Sequence, residues 1–233
     1  MRPKSAVLPL LAVMTLAPLA GAGNPLVQAP TDYEATPAHA YGEMASEPCL
    51  QMLRDRSIAF EQATAGPLVE TPVSLSGPLH GVTFRHVHAR SSGAVMDCRL
   101  VLALDDFAQV LAEHGVVEAG YVAAYRPDAT GTAKPGQRHP SGLAVDIAWF
   151  GRQDGQRWVV EKDFAGRPGA RTCGRGAESP DASNESATML RKLVCEAGKT
   201  RSFHLVLTPN YDREHRDHVH LEVRRNVRWF LVQ

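Results

Sequence analysis

The segment RDHVHLEV, residues 216–223, alternates strictly between two kinds of side chain, and that alternation dictates a β-strand with two unlike faces. Residues two apart in a strand project the same way, so His218, His220 and Glu222 line one face while Val219, Leu221 and Val223 line the other. The aliphatic row belongs against a core, which fixes the backbone and with it the two imidazoles. A chain with this strand must build a sheet with one hydrophobic side and a row of metal-ligand types on the other.

An earlier segment, VTFRHVHAR at 82–90, repeats the H-x-H spacing without that division. His86 and His88 share a face with Val82 and Phe84, and the opposite face mixes Thr83, Arg85 and Val87. No His with an Asp seven residues on precedes this pair, so packed or partly exposed histidines without a metal are expected here.

The rest of the chain sets the frame. It has 233 residues, 44% of them hydrophobic, enough for one well-buried domain. The 25 basic residues balance 25 acidic ones, so no cationic excess favours nucleic acid or an anionic membrane surface. Arg2 and Lys4, an apolar run from Ala6 to about Ala20, and small residues ending at Ala20 and Ala22 have the order of a secretory signal peptide, residues 1–22. Pro9 and Pro18 interrupt that run, which is short for a bilayer-spanning helix. Export to the periplasm or beyond the cell is expected, with no membrane association after the signal is removed.

Cys49, Cys98, Cys173 and Cys195 are even in number and widely spaced, which suits disulfides in an oxidising compartment better than a cysteine-ligated zinc. Three pairings are open; Cys173 with Cys195 is favoured because it would close a polar loop onto a helix.

Residues 23–46 carry Pro25, Pro30 and Pro37 without periodicity and read as a disordered linker, followed by one domain over 47–233. A helix is expected from about Ser46, extended segments at 69–75 and 81–89, and a helix capped by Asp105 and Asp106 and ended by Gly115. Strands follow at VEAGYVAAYRP (117–127), GLAVDIAWF (142–150) and QRWVVEKDF from 156. A polar loop spans 165–187, and Met189, Leu190, Leu193, Val194 and Ala197 mark an amphipathic helix over about 185–198. FHLVLTPNY and HVHLEVR complete an α+β domain with a mainly antiparallel central sheet and flanking helices.

A third motif supplies what a lone histidine pair lacks. In GQRHPSGLAVDIAWF, His139 lies in a Gly- and Pro-containing turn and Asp146 in the strand seven residues on. Leu143, Val145 and Ile147 should enter the core, leaving Asp146 on a face flanked only by Ala144 and Ala148. A tight turn brings His139 back over that face, and His220 from a neighbouring strand completes a set of two imidazoles and one carboxylate. Such a set suits zinc and leaves the fourth position to water.

H-x6-D followed downstream by H-x-H, with Gly142 and Ala144 inside the first motif, resembles the zinc signature of the D-alanyl-D-alanine peptidases and murein endopeptidases of peptidase family M15. Over Cys49 to Val223 the chain is similar to the bacterial extensin-like C-terminal domain family, in its opening Cys and Leu, its Pro72-Val73 strand, YRP before the histidine turn, and the final NYDREHRDHVHLEV. The resemblance implies a hedgehog and D-Ala-D-Ala peptidase-like architecture, His139, Asp146 and His220 as zinc ligands, His218 as general base, and Arg126 facing a substrate carboxylate or the developing oxyanion. Gln137 and Tyr125 depart from relatives that carry Ser and Cys there. Glu222 reads as a surface carboxylate at a strand end, His215 as a loop histidine without metal, and Asp217 as a solvated acid.

The residues point to an exported, monomeric protein with a hydrolytic zinc site, and the resemblance implies that it is a metallopeptidase acting on peptidoglycan stem peptides or cross-links that contain D-amino acids. Zinc would bring the pKa of bound water from ~15.7 towards ~7, and a general base adds roughly 10²–10⁴ in rate. The rival reading is a non-catalytic, zinc-containing module that binds cell-wall or protein ligands. A disulfide-bonded domain with no metal leaves both motifs unexplained.

Overall fold

The computed structural model describes residues 24, 26–88, 94–127 and 138–233. The expected leader and Gln137 lie outside these described residues. In chain order the elements are β1 (Val27–Gln28), α1 (Pro37–Gly42), α2 (Ser46–Asp55), β2 (Phe60–Gln62), β3 (Pro72–Leu75), β4 (Thr83–His86), β5 (Met96–Asp97), α3 (Cys98–Glu113) and β6 (Val116–Ala123). Then come β7 (Ala144–Arg152), β8 (Arg157–Val159), α4 (Val160–Asp163), α5 (Glu185–Thr200), β9 (Leu205–Leu207), β10 (Val219–Glu222) and β11 (Phe230–Val232).

The main sheet runs β1-β11-β9-β10-β7-β6-β4, with β8 also paired to β7, and β2-β3-β5 form a separate small sheet. Most neighbours are antiparallel, but β4 pairs with β6 and β11 with β9 in parallel, so the protein has a mixed α/β fold with a mixed main sheet. Parallel pairing needs a crossover between the two strands, and between β4 and β6 the buried helix α3 supplies it.

Helix α3 is the spine of the core. Leu100, Val101, Leu102, Ala103, Leu104, Phe107, Ala108 and Leu111 are all buried, and Phe107 meets Phe150 and Phe203 edge-to-face. The helix begins eight residues before the expected start, because Asp97 rather than Asp105 is its N-cap and accepts from the Arg99 backbone N–H. Asp105 and Asp106 are therefore helix-interior residues, and their charge is met by Arg56 at 3.0 and 2.9 Å. The helix stops where expected: Gly115 takes a positive φ of 71° and Val116 opens β6.

Two disulfides, Cys49–Cys98 and Cys173–Cys195, fix α2 to α3 and the polar loop to α5. The second is the pairing favoured by the sequence. Helix α5 follows its amphipathic pattern, with Ala187, Leu190, Leu193, Val194 and Ala197 buried and the Asn184 side chain accepting from the Ala187 N–H as its cap.

The stretch read as a linker is structured where it is described. Thr36 and Pro37 start α1, Tyr33, Ala38 and Tyr41 are buried, and β1 pairs with β11. Pro37 serves as the first residue of α1. This strap covers the sheet face opposite the main core, where Tyr33 and Phe230 pack together, so strand residues on both faces of β9 and β10 are buried.

Candidate metal centre

The register of two adjacent strands builds the centre. β10 runs antiparallel to β7 with His220 directly opposite Asp146 and Leu221 opposite Val145. Directly paired residues on one sheet face have Cβ atoms ~4.5–5.5 Å apart, so the pairing alone brings an imidazole to a carboxylate. Val219, Leu221 and Val223 are fully buried on the core side, as are Val145 and Ile147. The alternation thus fixes both donors from behind.

His139 arrives by a turn. A short 3-10 segment, His139–Ser141, ends at Gly142 in the left-handed region with φ 65°. A Cβ at Gly142 would lie 2.8 Å from the Asp97 backbone nitrogen, so both the conformation and the close approach require glycine. The turn lays the His139 ring edge-on to His220 at 5.2 Å and brings its Nε2 to 3.1 Å from Asp146 Oδ1.

Outer partners decide which ring nitrogens face inward. His139 Nδ1–H donates to the Ala124 carbonyl at 3.0 Å, so in the neutral ring Nε2 carries the inward lone pair. His220 Nε2–H donates to Glu222 Oε2 at 3.0 Å, leaving Nδ1 facing Asp146 Oδ1 at 2.8 Å. His218 Nδ1–H donates to Asp217 Oδ1 at 2.8 Å, and its Nε2 lies 3.4 Å from the same Asp146 oxygen. Three nitrogens whose outer partners take their hydrogens thus converge on one carboxylate oxygen. Lone pairs facing an anion repel unless protons or a cation lie between them, so the cluster is built for positive charge.

The electrostatics carry the same signature. Burial would push the Asp146 carboxyl up, but hydrogen bonding and charge from His139 and then His220 hold it well below the usual carboxylate range. Burial would lower His220, yet hydrogen bonds to Asp146 and Glu222 overcome it and push it up to about 9. Without a metal, a proton takes the cationic role.

His139, Asp146 and His220 form one group whose donor atoms all lie within 4.8 Å of one another, and His215, His218 and His220 form another. Two imidazoles and a carboxylate fit a borderline divalent ion such as zinc, and outer-shell carboxylates on the imidazoles are the usual complement of such a site. A cleft of about 310 Å³, lined by Val122, Arg126 and Glu214 as well as these groups, opens onto the cluster.

Arg126 follows the end of β6; its side chain is half exposed, and its Nη2 donates to Asp146 Oδ2 at 2.6 Å. One sequence reading is corrected. Glu222 is no surface carboxylate: it is 0% exposed and bridges His220 to Arg224 Nη1 at 3.1 Å. His215 lies in a turn, as expected, and is buried there, with Nδ1 on Asp212 at 2.7 Å and its ring 5.1 Å from that of His218. Asp212 was not among the expected residues, although an Asp three residues before a histidine in a loop is a recognisable local pairing. His86 and His88 lie on β4 or just beyond it, and His86 Nδ1 bonds to the His88 backbone, so the structure brings neither into the cluster.

Fold and cluster together define a mixed α/β protein with a buried His/Asp group able to hold a metal ion. The chain matches the family model described as Extensin-like protein C-terminus over residues 47–232 and belongs to that family. No curated protein and no solved structure matches it.

Proposed function

We propose that the protein is an exported zinc peptidase, related in mechanism to the D-alanyl-D-alanine peptidases and murein endopeptidases, that hydrolyses peptide bonds in peptidoglycan stem peptides or cross-links. The observation that carries this reading is the convergence of three imidazole nitrogens on Asp146 Oδ1 beside an open cleft. His139, Asp146 and His220 would hold the ion. Bound zinc supplies polarisation of the scissile carbonyl and acidification of water.

The chain's own groups supply the rest. His218, oriented by Asp217, offers Nε2 at the cleft as the acceptor of the proton that water sheds on attacking the carbonyl carbon. The same nitrogen returns that proton to the departing amine. Arg126, tied through one nitrogen to Asp146, keeps further N–H groups for a terminal carboxylate or the developing oxyanion. The two disulfides and the absence, among the described residues, of a helix long and apolar enough to cross a membrane fit a secreted protein.

A second reading is a zinc-containing binding module that turns nothing over, favoured by the engagement of Arg126 with Asp146. Incubation of zinc-loaded protein with a panel of muropeptides separates the two. The peptidase reading predicts release of amino acid or peptide products, lost in His218→Ala while zinc is retained. Tight zinc without any product from the panel would leave the binding module.

A further inference from the structure

Away from the metal centre, a cavity of about 820 Å³ lies between the β1–β11 edge, the C-terminal part of α5 and the loop that the Cys173–Cys195 disulfide fastens to α5. The chain as a whole has no net charge, yet Arg171, Arg175, Lys199 and Arg201 all line this one cavity.

The acids near it are engaged. Asp32 takes Arg201 through two bonds of 2.8 and 2.9 Å, Glu178 pairs with Arg167, and Glu196 with His114. Arg171, Arg175 and Lys199 have no acidic partner among the described residues. Three unanswered cations facing one concavity repel one another, and an anion between them relieves that repulsion. The floor is apolar: Leu26, Phe230 and Val232 contribute to it, and Arg201 lies over the Phe230 ring at 5.4 Å.

We propose that this cavity is a binding site for a small amphiphilic oxyanion, a phosphate or carboxylate carried on an apolar body. Guanidinium groups match either headgroup through paired N–H donors, and the apolar floor accepts the body. The proposal is independent of the peptidase reading.

The test is calorimetric titration of the whole protein with phenyl phosphate, benzoate and inorganic phosphate, repeated on Arg175→Glu/Lys199→Glu, two exposed positions outside the metal cluster. The proposal predicts that phenyl phosphate or benzoate saturates the wild type with Kd below about 1 mM, and that charge reversal weakens it at least ~10-fold with an unchanged melting temperature. The relative affinity of the two aromatic probes identifies the headgroup. Failure of both probes to saturate, or equal binding by the reversed variant, would overturn the site. Inorganic phosphate binding as tightly as phenyl phosphate would overturn the amphiphilic ligand.

Discussion

The protein contains the same three-residue pattern twice, at the end of β4 and at the start of β10, and among the described residues only the second joins a cluster able to hold a metal. β4 pairs with β6 alone in the main sheet; its His86 is partly exposed, bonded to the His88 backbone and set edge-on against Tyr121 at 5.2 Å. β10 lies between β9 and β7, its aliphatic face is fully buried, and the residue across from His220 is Asp146. Spacing therefore does not make a metal centre. What makes the candidate centre is an interior strand whose neighbour presents a carboxylate in register, with outer acceptors that turn the imidazole lone pairs inward.

The largest expected effect comes from removing that opposite carboxylate. Asp146→Asn should abolish stoichiometric zinc binding, by more than the ~10–100-fold typical of losing an outer partner, as read by competition with a chromogenic chelator. Zinc bound as tightly as in the wild type would break the comparison, because register would then not matter. Glu222→Gln should weaken zinc by ~10–100-fold through loss of the acceptor that holds His220 Nε2–H. An unchanged affinity would mean that the outer acid does not orient the ring.

A third prediction concerns pH. Metal-free His220 is protonated below about 9, so zinc uptake at neutral pH must release a proton, and affinity should fall about tenfold per unit as pH drops below 9. Calorimetry in buffers of different ionisation enthalpy counts that proton. The metal-free fold has the opposite trend. The folded-state value lies above the ordinary ~6.5, so the stabilisation from protonated His220 is full below 6.5 and is lost as pH rises through 9. Urea midpoints of metal-free protein should therefore decline across that window, and less steeply in His220→Gln.

The smallest effect is expected on β4. His86→Ala/His88→Ala should leave zinc affinity unchanged and stability within roughly 0.5–1 kcal/mol, since His88 is exposed and His86 partly so. A loss of metal in this variant would draw the β4 histidines into the site and erase the contrast.

Much of this contrast is legible in the sequence, because it is carried by local periodicity. The alternations over 142–150 and 216–223, the amphipathic stripe of α5 and the His139 turn all depend on near neighbours. What local pattern misses are charges answered at a distance. Asp105 and Asp106 look like a helix cap until Arg56, 49 and 50 residues earlier, is seen to hold them inside α3. Glu222 looks like a strand-end surface acid until its full burial is seen, with Arg224 and His220 sharing its two oxygens. Residues 26–46 look unstructured because their order is borrowed from β11 and α3, against which they pack. The parallel pairing of β4 with β6 is likewise a property of the α3 crossover, with no trace in β4 itself.

The most direct test of the central claim is zinc stoichiometry, by metal analysis of the purified protein beside His220→Ala and His218→Ala. The account predicts one tightly held ion in the wild type, none in His220→Ala, and one in His218→Ala. Retention of zinc by His220→Ala, or its loss only in His218→Ala, would contradict the assignment of His139, Asp146 and His220 as the ligands.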